Sequence, residues 1–269
     1  MSKYPILIFF FILSVQLESS ASLPENCKRL PNGRISCRLK GRKKAAAKKR
    51  INSEFTIPWD KVNKFKRSLS LGHVYQGKLY KGKKLPVNSR TYFISPRTRR
   101  RNYVWGTPAL LKLVKDVSHK VYNSFPGSKL TIGDLSPSGG GKAAGHKSHQ
   151  SGRDVDFGFY LSTGKTYKPV KSRFIKIDKS GRGQGIYKHL HFDVERNWEL
   201  VEALITHKTG VMRIYTSKII KNLLLQYARI IYRPKSVIKR AQKVLKPYKG
   251  HNDHFHIRIS CPHNNPFCR

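Results

Sequence analysis

Apolar residues recur at intervals of three and four positions in the middle of the chain. From Thr107-Pro108 to about Asn123, leucines and valines mark one side of a predicted helix, and Pro126-Gly127 ends the pattern. A Pro at the first helical position and an apolar stripe of this kind are typical of an amphipathic helix that packs on a core. Similar patterns predict three more helices, from Asp193 to about His207, at 217–231 and at 234–246.

Alternation of apolar and polar residues predicts strands elsewhere. Along 154–160, Asp154, Asp156 and Gly158 fall on one face of a strand, and Val155 and two phenylalanines fall on the other. Further strands are predicted at 130–135, 211–215 and 255–260, short strands and loops at 67–106, and a long basic loop at 161–185. Because helices and strands do not alternate regularly, an α+β fold is predicted.

The N-terminal pattern differs from the rest of the chain. Lys3 precedes an apolar run at 5–15, and small residues follow at Ser19-Ser20-Ala21. This order is typical of a secretory signal peptide with cleavage after Ala21, and the apolar run is well short of the ~20 residues that a membrane span needs. We therefore expect a signal peptide at 1–21, a mature protein without a membrane segment, and a periplasmic or secreted location.

Basic residues dominate the chain, because 55 Lys and Arg against 14 Asp and Glu give a formal net charge of +41. Such a charge predicts a polyanionic partner, for which nucleic acid, an anionic membrane and an anionic cell-wall polymer are alternatives. Export favours the cell-wall polymer over nucleic acid. Residues 22–56 are predicted to form a basic tail or linker, densest between Arg38 and Arg50, and 57–269 a folded domain.

Four cysteines, Cys27, Cys37, Cys261 and Cys268, fit an exported chain that contains disulfides. Three pairings are open. The favoured pairing joins Cys27 to Cys37 and Cys261 to Cys268, and each bridge then closes a short loop. Zinc binding by these cysteines is less favoured, since neither pair has Cys-x-x-Cys spacing.

Candidate metal ligands concentrate in two short windows. One runs from His146 to Asp156 and the other from His251 to His256, and together they hold five of the 11 histidines and three of the 14 acidic residues. In a strand, His254 and His256 would lie on the same face. Imidazole and carboxylate groups are the ligands of catalytic zinc sites, which keep a fourth position for water. The two windows therefore predict a hydrolytic zinc centre.

Longer motifs around these windows resemble a known family. They are Asp134-Leu135-Ser136, Gly139-Gly140, the run from His146 to Asp156, Phe192 to Trp198, and Gly250 to Pro262. In this order they resemble the penicillin-insensitive murein endopeptidases, exported zinc peptidases of the wider group that includes lysostaphin-type and D-Ala-D-Ala metallopeptidases. The resemblance runs from about Ser68 to the C-terminus. It implies hydrolysis of D-alanyl–diaminopimelyl cross-links in peptidoglycan, and a small antiparallel sheet that carries the zinc site and is flanked by helices.

The resemblance implies roles for particular residues. Zinc ligands are implied at His149, Asp156 and His256, and His254 matches the active-site histidine beside the metal. The chain has no His-Glu-x-x-His motif, so it lacks the glutamate that acts as the general base in peptidases with that motif. We therefore expect His254, alone or with His251, to take the proton from the attacking water or to stabilise the developing oxyanion.

Further residues are expected around this centre. His146 matches another histidine of the family motif, and an accessory metal site is an alternative role for it. Asp154 shares a strand face with Asp156, so it is predicted either to orient a ligand imidazole from behind or to serve as a structural hydrogen-bond acceptor. Cys261 and Cys268 match a local disulfide of the family, whose other cysteine pairs are not evident in this chain.

The predicted function is therefore an exported zinc endopeptidase that acts on peptidoglycan. The alternative is a non-enzymatic exported protein that binds the cell wall or another polyanion on a peptidase scaffold. An exported nuclease is a third hypothesis, suggested by the charge and the histidines.

Overall fold

The computed structural model describes residues 56–163 and 169–269, together with two short strands nearer the N-terminus. The chain divides into two units after Glu54. In the first unit, β1 (Cys27–Arg29) and β2 (Ile35–Cys37) pair antiparallel, with Cys27 opposite Cys37. The predicted signal peptide, most of the predicted tail and the side chains of this strand pair lie outside the described residues. The signal peptide and the Cys27–Cys37 disulfide therefore stay predictions.

Six helices occur in the described part of the second unit. They are α1 (Trp59–Val62), α2 (Pro96–Arg101), α3 (Pro108–Ser124), α4 (Val194–Thr206), α5 (Lys218–Ile230) and α6 (Lys235–Val244). The side chains of Thr107, Asp193 and Ser217 cap α3, α4 and α5 by accepting a hydrogen bond from a backbone N–H three residues on. None of the six is long and apolar enough to cross a membrane.

Twelve strands are described in the same unit. They are β3 (Leu69–His73), β4 (Gln76–Tyr80), β5 (Lys83–Lys84), β6 (Tyr92–Ile94), β7 (Trp105–Gly106), β8 (Leu130–Ile132), β9 (Asp154–Thr163), β10 (Pro169–Arg173), β11 (Leu190–Phe192), β12 (Val211–Thr216), β13 (Leu245–Pro247) and β14 (His254–Ile259). β3 pairs with β4 and β5 with β7, in two small antiparallel sheets.

The remaining eight strands form one larger sheet. Its main path runs β13-β12-β14-β9-β8-β6, and β10 and β11 also pair with β9. The β12–β13 and β6–β8 pairs are parallel, whereas β14 pairs antiparallel with both β9 and β12. Helix α4 contacts α3, α5 and α6, and α5 also contacts α6. The α+β class is confirmed, although this sheet is larger than the small antiparallel sheet predicted.

The long strand β9 divides the core from the face that carries the candidate residues. Its odd-numbered residues from Val155 to Leu161 are fully buried, and the ring of Phe159 meets that of Phe255 at 4.8 Å in an edge contact. Asp154 and Asp156 alternate onto the other face. The alternation predicted for this strand is confirmed.

Several predicted segments differ from the structure. The strand predicted at 130–135 ends at Ile132, and α2 lies within 67–106, where short strands and loops were predicted. Residues 161–185 are not one long loop, because β9 continues to Thr163 and β10 pairs with it; a register irregularity between Val170 and Arg173 conceals the alternation there. The helix predicted at 234–246 ends at Val244. Pro247 lacks an N–H and disfavours helical conformation in the residue before it, so this segment joins the sheet as β13.

A disulfide fastens the end of the described chain. Cys261 and Cys268 are bonded, which is one of the two predicted bridges. Inside this loop, the carbonyl of Phe267 accepts a hydrogen bond from the N–H of Gly72 at 2.8 Å, and just beyond it the N–H of Arg269 donates to the carbonyl of Gly72 at 3.1 Å. The C-terminal segment is therefore joined to β3.

Candidate metal centre

Two antiparallel strands bring the two sequence windows together. Asp156 on β9 lies directly opposite His256 on β14, and Asp154 lies opposite Arg258. His254 occupies the same face two positions before His256. Because alternate residues of a strand share a face, these five side chains converge on one side of the sheet.

A sixth side chain comes from the loop before β9. His149 is fully buried, and its φ of 64° lies in the left-handed region. This region costs a residue with a side chain about 1–3 kcal/mol. Two contacts hold the residue there: its N–H donates to Asp154 Oδ2 at 2.9 Å, and its ring Nδ1 lies 2.9 Å from the carbonyl oxygen of Leu135. The strained backbone aims the other ring nitrogen at the strand pair.

Three donor atoms form a compact triangle. His149 Nε2 lies 3.1 Å from His256 Nδ1 and 3.4 Å from Asp156 Oδ1, and the third side, from His256 Nδ1 to Asp156 Oδ1, is 3.1 Å. Two ligands of a tetrahedral zinc with bonds of about 2.0–2.1 Å stand about 3.3–3.4 Å apart. The triangle thus has the dimensions of one face of such a site.

One atom of this triangle, a carboxylate oxygen, is in an environment that a bound cation would stabilise. Within the described residues, Asp156 Oδ1 is buried and receives no hydrogen bond, although imidazole rings surround it. A buried carboxylate oxygen without a donor is costly unless a positive group satisfies it. The donor set of two imidazoles and one carboxylate is the set that zinc takes in hydrolytic sites, so the residues fit the metal.

The tautomer of His149 suits a ligand role. A carbonyl oxygen can only accept, so the contact with Leu135 places the ring proton on Nδ1. Nε2 then keeps its lone pair and points into the triangle. A ligand imidazole is commonly fixed in this way by a partner at its other nitrogen.

Asp154 fastens the parts of the centre to one another. It is fully buried, and it receives two hydrogen bonds from Arg258, at 2.7 Å from Nε and 3.2 Å from Nη2. It also accepts the N–H of His149, and its Oδ1 lies 3.5 Å from His256 Nε2. Asp154 therefore serves as a structural hydrogen-bond acceptor, one of its two predicted roles, while the orientation of a ligand imidazole by Asp154 stays a prediction.

The electrostatic field of the centre favours positive charge. Burial would raise the pKa of Asp154, but His256 and Arg258 hold that pKa well below its usual range. The pKa of Asp156 is lowered in the same way: burial would raise it, but the charges of His149 and His254 have the larger effect and lower it. Burial opposes protonation of His256, yet the two carboxylates raise the pKa of that imidazole to about 9.

His254 stands beside the triangle with its own carboxylate partner. Its Nδ1 lies 2.5 Å from Asp253 Oδ1, and its Nε2 lies 3.8 Å from Asp156 Oδ1. Burial would lower the pKa of His254, but Asp156 and Asp253 together raise it above its usual value. The ring therefore presents Nε2 toward the centre while a carboxylate supports the opposite nitrogen.

His251 does not belong to the triangle but lies on the outer side of His254. Its ring is 4.9 Å from that of His254 and packs against the rings of Tyr215 and Tyr248 at 6.1 and 5.3 Å. Burial, followed by the charge of His254, lowers the pKa of His251 to about 4. This imidazole is consequently neutral at neutral pH.

His146 offers a second, overlapping donor set. Its ligand atoms, with those of His149 and Asp156, lie within 4.8 Å of one another. Its Nδ1 is 4.0 Å from Asp156 Oδ2, and its Nε2 is 2.9 Å from Asp134 Oδ2. Asp134 also accepts from Arg101 at 2.5 Å, so His146 is tied to a neighbouring carboxylate rather than to the triangle.

A groove of about 990 Å³ opens beside the centre. His146, His251 and His256 line it, together with tyrosines and basic residues that the sequence patterns did not single out, namely Tyr75, Tyr215, Tyr248, Lys147, Lys249 and Arg258. The position of Arg258 could have been predicted from the sequence, because it follows His256 by two residues on the same strand and therefore lies on the same face. The tyrosines come from three separate segments and have no such signal.

Comparison with known proteins gives a consistent result. A family model described as penicillin-insensitive murein endopeptidase matches residues 70–269. The chain is 28% identical over 223 residues to a penicillin-insensitive murein endopeptidase of Yersinia pestis bv. Antiqua (strain Antiqua), which covers 78% of this chain and 74% of that protein. Proteins with the same name from Klebsiella pneumoniae (strain 342) and Escherichia coli O1:K1 / APEC are 28% and 26% identical over 219 residues, with the same coverage.

The family match spans every residue of the triangle and of the groove, and it covers more than half of the chain. The resemblance inferred from the motifs is therefore confirmed. This chain belongs to the penicillin-insensitive murein endopeptidase family.

Proposed function

We propose that the chain is a zinc-dependent endopeptidase that hydrolyses D-alanyl–diaminopimelyl cross-links of peptidoglycan. The observation that carries this proposal is the triangle of His149 Nε2, Asp156 Oδ1 and His256 Nδ1, with sides of 3.1–3.4 Å around a buried carboxylate oxygen that no described donor satisfies. A peptidase of this family with such a donor set has the means for metal-assisted hydrolysis.

His149, Asp156 and His256 would hold the metal in this proposal. His146 is the weaker third ligand, because its Nδ1 stands 4.0 Å from the nearer oxygen of Asp156 and its Nε2 already contacts Asp134. Zinc bound to two histidines and a carboxylate supplies a Lewis acid and lowers the pKa of a bound water to about 7.

His254 is the proposed catalytic residue. With Nδ1 held by Asp253, its Nε2 can accept the proton of the attacking water and, once protonated, donate a hydrogen bond to the developing oxyanion. His251 is neutral because of its low pKa, so its proposed contribution is to position His254 rather than to carry charge. Asp154 acts through others, by fixing the backbone of His149 and facing the ring of His256.

We further propose that the protein works outside the cytoplasmic membrane, in the periplasm or as a secreted protein. The N-terminal apolar run and the small residues up to Ala21 support export. The composition also supports contact with an anionic cell-wall polymer through the basic surface, with nucleic acid as the less favoured partner. On α6, Lys235, Lys239, Arg240 and Lys243 are all exposed.

A non-enzymatic wall-binding protein on a peptidase scaffold is the alternative function. Such a protein has no need for three converging donor atoms or for a histidine–carboxylate pair beside them. The triangle and the His254–Asp253 contact therefore favour the enzyme.

Purified dimeric muropeptides test the proposal. The zinc-loaded protein should convert them to monomers, as measured by mass spectrometry, and a chelator should stop the reaction. His256→Ala should abolish the conversion. His119→Ala, which changes an exposed histidine on α3, is the matched control and should retain activity. Intact dimers after incubation with the wild-type protein at several pH values and salt concentrations would overturn the proposal, and nucleic acid incubated in parallel tests the nuclease hypothesis.

A further inference from the structure

The groove beside the metal centre has an uneven distribution of charge. Among the described residues, its lining includes no Asp or Glu side chain, although four carboxylates belong to the adjoining centre. Each of those four carboxylates contacts a basic or imidazole side chain of the protein. Asp134 contacts Arg101 and His146, Asp154 contacts Arg258, Asp156 faces the donor triangle, and Asp253 contacts His254.

Three cationic side chains line the same groove, and two of them are available to a ligand. The guanidinium of Arg258 is committed to Asp154 by two hydrogen bonds. Lys147 and Lys249 are exposed, and neither has an ion pair with any described residue. Lys147 lies in the loop between His146 and His149, and Lys249 lies two residues before His251. Both ammonium groups are thus carried by the segments that form the centre.

The rest of the lining suits a peptide. Tyr75 and Tyr248 are about half exposed, at 53% and 54%, and Tyr215 adds a third ring opposite His256 on the neighbouring strand. Aromatic faces with hydroxyl groups bind the apolar and amide parts of an oligopeptide. A groove with such walls and two unpaired ammonium groups fits a peptide that carries free carboxylates.

We infer that Lys147 and Lys249 recognise a free carboxylate next to the scissile amide and so make the enzyme selective for cross-links in which that group is not amidated. In a D-alanyl–diaminopimelyl bond, the carbon that bears the amide nitrogen also bears a carboxylate, so the charge lies close to the reacting atoms. Conversion of this group to a carboxamide removes the charge and leaves the shape almost unchanged. The inference rests on the proposed endopeptidase function.

Two synthetic dimeric peptides that differ in this one group test the inference. The wild-type, zinc-loaded protein should hydrolyse the carboxylate form with the higher kcat/KM. Lys147→Met and Lys249→Met should each lower kcat/KM for the carboxylate form by about twofold to fivefold, and the double variant should lower it by about tenfold or more. All three variants should hydrolyse the carboxamide form with nearly the wild-type kcat/KM. The preference should also weaken as salt rises.

Lys142→Met is the matched control, since Lys142 is exposed on the same loop but does not line the groove. Calorimetric binding of both peptides to the metal-free protein gives a second measurement, in which the carboxylate form should bind more tightly and lose that advantage in the double variant. Equal hydrolysis and equal binding of the two peptides by the wild-type protein would overturn the inference while leaving the endopeptidase proposal intact. If neither peptide is cleaved but the lysine-dependent binding preference is present, the endopeptidase proposal fails and the carboxylate recognition stands.

Discussion

Asp156 and His256 face each other across β9 and β14, and Asp156 Oδ1 lies 3.1 Å from His256 Nδ1. The strand register places these two residues directly opposite each other, so the backbones of two of the three donors are positioned by strand pairing rather than by flexible loops. His149 then needs only one strained loop position to complete the triangle. A site built on paired strands holds its ligands more accurately than one built on loops.

Replacement of Asp156 by Asn keeps the shape of the side chain and removes its charge. We expect Asp156→Asn to lower zinc affinity by more than about 100-fold, because a neutral amide oxygen is a weaker ligand than a carboxylate. Loss of a residue that only supports a metal ligand typically lowers the affinity by about 10- to 100-fold, and loss of a ligand should lower it further. Metal content after dialysis, measured by elemental analysis, checks this. Asp60→Asn, at an exposed position on α1, should bind zinc as the wild type does. Equal zinc content in both variants would contradict the ligand assignment.

Truncation of His254 should separate catalysis from metal binding. His254→Ala should retain one zinc per chain but lose about 10²–10⁴-fold in kcat, which is the usual contribution of a positioned acid–base group. Asp253→Asn should lose less, since it changes only the support of the ring. Loss of zinc from His254→Ala would instead identify His254 as a ligand.

The buried pair of Asp154 and Arg258 should be costly to break. Asp154→Ala leaves the Arg258 guanidinium without its partner in a mostly buried position and should lower the free energy of unfolding by about 3–5 kcal/mol. Asp154→Leu combined with Arg258→Met should recover part of this loss, as measured by urea denaturation. The Lys112–Asp116 pair on α3 supplies the control, because Lys112→Ala removes a side chain that is 53% exposed and should change stability by less than about 1 kcal/mol.

Removal of the metal should lower stability as well as activity. A chelator should lower the melting temperature, and zinc added back should restore both the temperature and the hydrolysis of muropeptides. At free zinc about 1,000 times above its Kd, the expected gain in the free energy of unfolding is about 4 kcal/mol. Melting curves that are identical with and without zinc would argue that the triangle does not bind it.

The Cys261–Cys268 bridge should stabilise the C-terminal segment. A bridge across seven positions is expected to contribute about 2–3 kcal/mol to the free energy of unfolding through the loop it closes. Replacement of both cysteines by Ser should lower the melting temperature accordingly, and reduction of the wild-type protein should produce a similar shift. Unchanged zinc content in the serine variant would show that the bridge acts on stability and not on the centre.

Sequence patterns located most of the regular structure and the two windows that hold the donor residues. The helix after Thr107 and the alternation through Asp154 and Asp156 are local features, so spacing alone was sufficient. β13 was missed because its identity as a strand depends on pairing with β12, which lies outside its own window. The end of β9 and the whole of β10 were missed for a similar reason, since the irregular register of this strand pair leaves no simple period.

In the candidate site, too, contacts between residues that are distant in sequence could not be predicted from local patterns. The rarity of acids in a basic chain directed attention to Asp154 and Asp156, but nothing in the sequence indicated that Asp154 binds Arg258. Nor could spacing indicate that Tyr215 and Tyr248 would surround His251, since the rings come from a strand and a loop that only the folded sheet brings together. Pairwise contacts of this kind are properties of the tertiary structure.

The donor triangle also has a consequence for synthesis and folding. His149 and His256 are 107 residues apart in sequence, and contacts at such separations form late because a long loop must first be closed. Until β14 has paired with β9, a growing or partly folded chain has only two of the three donors. The complete set of three donors therefore arises only in molecules in which β14 has paired with β9, and the proposed metal-dependent activity would be absent from partly folded chains.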